Sequence, residues 1–295
     1  GFDGVWADDF HNVVRNILHT QRDGYLRSFA GTTEELARTI RQGFLFEGQW
    51  DQWLGENRGV PAREQPWRQF IYCLQNHDQI GNRAFGERIN ETAPRDDVLA
   101  ATLLLLLLPQ TPMLFQGQEY FAATPFLFFT DYEAELGELV TEGRRQEFAD
   151  IAAFRDPELR HKIPDPQSKN TYLQSKLDPA ERESDGGQAA LRLHTESLRL
   201  RREDTALVTM RDGRPPMDAV AFGDALLVTM SPPNQPERLV AVNFGDSPAT
   251  VAIDGSVEVM LHSQERRFGG DGRAPQVSSG SIKLPPRSAA LFGRL

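Results

Sequence analysis

The residues best equipped for chemistry stand in YCLQNHDQIGNR, Tyr72 to Arg83. A short apolar run ends there in Asn76, His77, Asp78 and Gln79, with Gly81 close behind. Adjacent side chains at a strand end splay to opposite sides, so His77 and Asp78 offer two different groups to one mouth. One supplies a hydrogen bond to a substrate hydroxyl, and the other a negative charge beside developing positive charge. The structural alternative has Asp78 capping the next turn and His77 satisfied in the core.

A second group, Asp8, Asp9 and His11, lies in WADDFH. Metal binding is disfavoured, because adjacent aspartates point in different directions and at most two ligands converge. A helix N-cap for one aspartate, and a solvent or substrate contact for the other, fits better. Gln118 and Glu119 follow FQG; Glu119 suits a general acid or positioning residue, or a solvated loop carboxylate. TPFLFFTDYE places Phe126, Phe129, Asp131 and Tyr132 in a loop, with aromatic faces of the kind that stack on sugar rings or pack on a rim. No phosphate-binding glycine loop, zinc spacing or serine nucleophile elbow is present.

These residues need elements to position them. FDGVW reads as a short buried strand before the Asp8–His11 tip, and the apolar spacing of Val13, Val14, Ile17 and Leu18 predicts a helix after it. Thr32 and Glu35 have capping-box spacing, Leu36 and Ile40 supply an apolar face, and Gly43 is a natural stop. Residues 44–69, rich in Gly, Pro, Gln and Arg with three tryptophans, read as a long irregular loop. FIYCLQ lacks alternation, as strands buried on both faces do. A helix over 96–108 follows, ended by Pro109, and then PMLFQG as another strand. Strand, polar tip and helix repeat, with reactive side chains at strand C-terminal ends, the α/β-barrel arrangement. From about Ala206 short alternating β-branched segments separated by turn residues predict an antiparallel β-sandwich, so the chain divides into 1–205 and 206–295.

Composition narrows the function class. The chain has 295 residues and a formal net charge of -10, with basic and acidic residues interleaved, so it lacks the footprint of nucleic-acid binding. A neutral or cationic small partner suits it better. The longest apolar run, Val98 to Leu108, is shorter than the roughly 20 residues needed to cross a bilayer, and reads as a core helix. The single cysteine, Cys73, sits inside an apolar run, which suits a buried thiol and a reducing cytoplasm. No secretory signal is visible, and GFDGVWADDF starts as if in the middle of a longer chain.

NHDQIGNR resembles the fourth sequence motif of the alpha-amylase superfamily, glycoside hydrolase family 13. WADDFHNVV, PQTPMLFQGQEY, ATPFLFFTDYEAELGELVTEGRRQEF, IPDPQ with SKLD, and RRFGGDG extend the resemblance from residue 6 to about 272. Within the superfamily they are most similar to enzymes that release trehalose from glucan chains capped with it. The resemblance implies the C-terminal part of a (β/α)8 TIM barrel, strands six to eight, followed by the β domain. It makes Asp78 the third catalytic carboxylate, stabilising the transition state, and His77 a sugar ligand at the cleavage subsite, with Asn76 and Gln79 beside them. Asp8, Asp9, His11, Gln118, Glu119, Phe126, Phe129, Asp131 and Tyr132 become candidate contacts for a maltooligosyltrehalose or other α-1,4-glucan. It implies no metal or organic cofactor, no nucleic acid and no membrane.

The family's nucleophile and general acid precede the WADDFH strand and are not in this chain. Retaining glycosidases need two carboxyls about 5 to 5.5 Å apart, which Asp78 alone cannot supply. The chain therefore reads as the latter part of an enzyme that pairs with a missing N-terminal half. Two rivals stay open: a branching enzyme or glucanotransferase fragment, and a non-catalytic glucan-binding fragment.

Overall fold

The structure is a computed structural model describing residues 2–19, 24–149, 151 and 155–295. Strand β1 (Val5–Trp6) leads into α1 (Asp8–Leu18) and α2 (Thr33–Gln42). A hairpin, β2 (Gln49–Asp51) and β3 (Glu56–Arg58), precedes β4 (Phe70–Tyr72), a short α3 (His77–Gly81), α4 (Ile89–Thr92), the long α5 (Arg95–Leu107) and β5 (Thr111–Pro112). β1, β4 and β5 form one parallel sheet with β4 in the middle.

Local signals explain much of this. Thr32 caps α2 by accepting from the Glu35 N–H, Glu35 accepts from the Gly31 N–H at 2.8 Å, and Gly43 ends the helix at φ 101°. The strands are shorter than FIYCLQ and PMLFQG suggest. The Met113 N–H donates to Tyr72 O at 2.7 Å, but Gln75 then turns aside to accept from the Ile89 N–H at 3.0 Å. That hydrogen bond takes the chain end out of the ladder while keeping it buried.

Residues 44–69 are more ordered than their composition suggests. Asp51 is buried at the corner of the β2–β3 hairpin and accepts from the N–H groups of Trp53 and Leu54 and from Ser28 and Arg58. Burial opposes ionisation, yet these donors hold the carboxyl at about 2. A side chain that replaces backbone partners at a turn supplies what the missing β-branched residues do not.

The remaining helices are α6 (Ala134–Glu147), α7 (Pro157–Arg160), α8 (Lys169–Gln174), α9 (Pro179–Glu183), α10 (Asp185–Glu203) and α11 (Thr205–Met210). Strands β6 (Met217–Phe222), β7 (Ala225–Met230), β8 (Arg238–Asn243), β9 (Ala249–Ala252), β10 (Val257–His262), β11 (Gln276–Ser278), β12 (Ser281–Leu284) and β13 (Ser288–Arg294) follow. They form an antiparallel five-stranded sheet in the order β10-β13-β8-β7-β6 and a three-stranded sheet β11-β12-β9.

The period of two in strands gives the larger sheet two apolar faces. Leu226, Val228, Val240, Val242, Ala289 and Leu291 join the main core, which also holds the leucines of α5. Leu227, Leu239, Ala241 and Phe292 instead share a second core with Val251, Ile282 and Leu284 of the smaller sheet. The main core thus runs through residues on both sides of position 205. Among the described residues no helix is long and apolar enough to cross a membrane; α5 is apolar all round because it is enclosed by protein.

Candidate active site

At the end of β4 the helix cap is Asn76. Its backbone is extended (φ -145°), and its Oδ1 accepts from the N–H groups of Asp78 at 2.8 Å and Gln79 at 3.1 Å. Because Asn76 does the capping, Asp78 is released from that work. The side chains of His77 and Asp78 are 54% and 59% exposed, with Nε2 and Oδ1 3.3 Å apart. Neither half of the structural alternative describes this pair. The site is open to a ligand.

β1 supplies the neighbouring wall. Trp6 meets His77 edge-on with ring centroids 6.0 Å apart, and Gln79 Nε2 donates to Asp8 Oδ1 at 3.5 Å. Burial, then the nearby carboxylates of Asp9 and Asp78, raise the Asp8 pKa above its ordinary value. Asp8 and Asp78 therefore share one electrostatic environment. A developing positive charge placed there would relieve their repulsion.

Asp9 and His11 differ from the expectation of substrate contact, since each is only 3% exposed. Asp9 Oδ2 accepts from the Leu45 N–H at 2.8 Å, and its Oδ1 accepts from Arg58 Nη2 at 2.9 Å. Arg58 also donates to Asp51 at 3.0 Å, so Asp9 fastens the hairpin to the start of α1. Neither aspartate is the N-cap of that helix; Ala7 is. His11 Nδ1 lies 2.5 Å from Leu74 O, tying α1 to the end of β4. A carbonyl only accepts, so Nδ1 carries the proton and Nε2 is bare. Side-chain pattern shows which residues sit on a helix, but not which of them the next strand will cover.

Burial, reinforced by Arg15, pushes His11 down to about 3. A histidine buried neutral binds its proton more readily unfolded, so stability is lost as pH falls from about 6.5 toward about 3. The slope from this one group is about 1.4 kcal/mol per pH unit. His11→Asn retains the donor to Leu74 and is expected to flatten that part of the profile. Urea unfolding of both forms at several pH values checks it; parallel profiles would remove His11 as the source.

Gln118 is buried and its Oε1 accepts from the Phe115 N–H at 3.3 Å. Glu119 lies within electrostatic reach of Arg88 and His194, toward α10. No hydrogen bond or ion pair joins either to His77 or Asp78 among the described residues. Phe126 does approach the site: an added Cβ on Gly81 would lie 3.9 Å from its ring, and its N–H donates to Gly86 O at 2.9 Å. Phe129 stands against Phe126 and Tyr172, with centroids 5.8 and 5.3 Å away.

The motifs FFTDYE and IPDPQ, separate in sequence, are bonded to each other. The Thr130 N–H donates to Pro166 O at 2.9 Å and the Tyr132 N–H to Gln167 Oε1 at 3.0 Å, leaving Asp131 and Tyr132 exposed. Sequence reasoning missed Trp6 as a site wall; its place two residues before Asp8 was the available signal.

Comparison with known proteins identifies the class first. A solved Salmonella typhimurium protein assigned to the alpha amylases superposes with a TM-score of 0.83 at 31% identity, covering 99% of this chain and 47% of that one. The alpha-amylase of H. orenii shares the fold at a TM-score of 0.53 and 14% identity, covering 100% of this chain and 49% of that one. The chain belongs to the alpha-amylase superfamily.

Within that superfamily it is related to the C-terminal part of malto-oligosyltrehalose trehalohydrolases. The Deinococcus radiodurans protein of that name is 42% identical over 252 residues, 85% of this chain and 41% of the relative. Those of Rhizobium sp. and Brevibacterium helvolum are 33% and 35% identical, each over 99% of this chain and 46% and 47% of the relative. The chain thus spans about half the length of these relatives. No protein-family model matches it.

Proposed function

We propose that this chain is the C-terminal portion of a retaining glycoside hydrolase that releases trehalose from the capped end of maltooligosyltrehalose. Its three parallel strands are then barrel strands six to eight, within a portion of the catalytic barrel covering 1–205. Residues 206–295 form a β-sandwich domain. The carrying observation is the His77–Asp78 pair, freed by the Asn76 cap and open at the C-terminal end of the central parallel strand. His77 donates to or accepts from a sugar hydroxyl in the cleavage subsite, and Asp78 gains strength in its hydrogen bonds as the sugar flattens toward an oxocarbenium ion. The nucleophile and general acid come from the part of the enzyme outside this chain. A reducing cytoplasm suits Cys73, whose thiol burial pushes up to about 12.

The test is incubation of the complete enzyme with a trehalose-capped maltooligosaccharide. Free trehalose supports the function; a new glycosidic linkage without trehalose would replace it with a glucanotransferase. Specificity is assigned to the segment holding Phe126, Phe129, Asp131 and Tyr132. Phe129→Ala is expected to slow cleavage of capped chains about fivefold more than of uncapped maltooligosaccharides, the loss of one aromatic stacking contact. Equal losses on the two substrates, measured as kcat/KM, would remove Phe129 from that role.

A further inference from the structure

The geometry points to Arg144 as a positioning residue for the reaction, acting through the short helix that carries His77 and Asp78. This inference rests on the proposed glycosidase site. Arg144 projects from α6, the helix that follows Tyr132, and its side chain is only 5% exposed. Its Nη2 donates to Gly81 O at 2.6 Å and Arg83 O at 2.8 Å. Gly81 is the last residue of α3. The guanidinium lies over Phe128 and Phe148, at 5.1 and 4.7 Å from the ring centroids. A planar donor fork packed against two rings has little freedom, so it fixes the carbonyls it binds.

Helix α3 is too short to hold itself. It has five residues, and its end is closed by the N–H of Asn82 donating to Asp78 O at 2.9 Å and that of Arg83 donating to Ile80 O at 3.0 Å. Asn76 fastens its start. Arg144 fastens its finish, and a cation beside the terminal carbonyls also complements the charge there. The Phe126 ring covers Gly81 from the same stretch of chain. The segment holding Phe126 and the Asp78 helix are therefore packed against each other.

An enzyme that stabilises a transition state through Asp78 needs that carboxylate held in place before the sugar arrives, since small displacements are expensive in rate. Arg144 does this without touching substrate. The ion pair to Glu147, 3.2 Å away on a glutamate 60% exposed, is incidental.

The test uses the complete enzyme carrying Arg144→Met, which keeps the apolar stem and removes the donors. Its kcat on capped and uncapped maltooligosaccharides is expected to fall about ten- to a hundredfold, with KM little changed. Hydrogen exchange at the Asn82 and Arg83 amides should lose about tenfold protection. Arg144→Lys should recover part of the rate, and Glu147→Gln should match wild type. Unchanged kcat with unchanged amide protection, or a lower melting temperature with kcat intact, would overturn the positioning role. Wild-type enzyme that cuts only uncapped chains would defeat the trehalose assignment and leave the Arg144 comparison readable. Wild-type enzyme that hydrolyses neither would defeat both.

Discussion

Asp78→Asn in the complete enzyme is expected to lower kcat about a hundred- to a thousandfold, the usual effect of deleting a group that stabilises transition-state charge. KM should change little. The substitution keeps size and removes charge, so the Asn76 cap, which uses only the backbone of residues 78 and 79, stays intact. Asp78 is exposed and, among the described residues, its ion-pair neighbour is the equally exposed His77 at 3.3 Å. The protein should therefore fold normally and fail in the chemical step alone. Steady-state trehalose release together with a melting curve separates these effects. An unchanged kcat would remove Asp78 from the catalytic set, and a large fall in melting temperature would point to a structural carboxylate instead.

The largest effect on stability is expected at Arg201. Its guanidinium is buried against the end of α5, donating to Leu106 O at 3.1 Å, to Leu108 O, to Pro109 O at 3.3 Å and to Gln110 O at 2.7 Å. Helix ends leave carbonyls without intrahelical partners, and Pro109 has no N–H with which to continue the ladder. α10 answers that deficit from outside. Burial, and then Arg211, lower the Arg201 pKa to about 10, so it still carries its charge at neutral pH. Arg201→Met preserves the stem and strips four carbonyls of their donor, a loss of about 3 to 5 kcal/mol. In a chain of this size the melting temperature should fall on the order of 10 °C. A fall of less than about 2 °C would show that water or a rearranged backbone satisfies those carbonyls as well.

The two residues illustrate what could be read in advance. His77 and Asp78 could be singled out as candidates because a buried apolar run ending in several hydrogen-bonding side chains has few structural uses, and the structure leaves both exposed. Arg201 lies in LRLRREDTAL, where neighbouring arginines look interchangeable. Arg202 is exposed and pairs with Glu203, whereas Arg201 faces inward.

The sequence by itself determined the alternation of strand, polar tip and helix, the leucine-rich core helix, the all-β C-terminal segments and the superfamily. These rest on periodicity, turn residues and motifs, which are local properties of the chain. Tertiary structure decided which of the candidate residues stay accessible and which are covered. Asp8, His77 and Asp78 share an open rim, whereas Asp9 and His11, one and three positions beyond Asp8, are covered by the hairpin and by the end of β4. It also decided that Arg144 bonds the carbonyl at the end of the helix holding His77 and Asp78. Burial and long-range hydrogen bonding depend on partners 36 to 63 residues away in sequence. No local pattern encodes that separation.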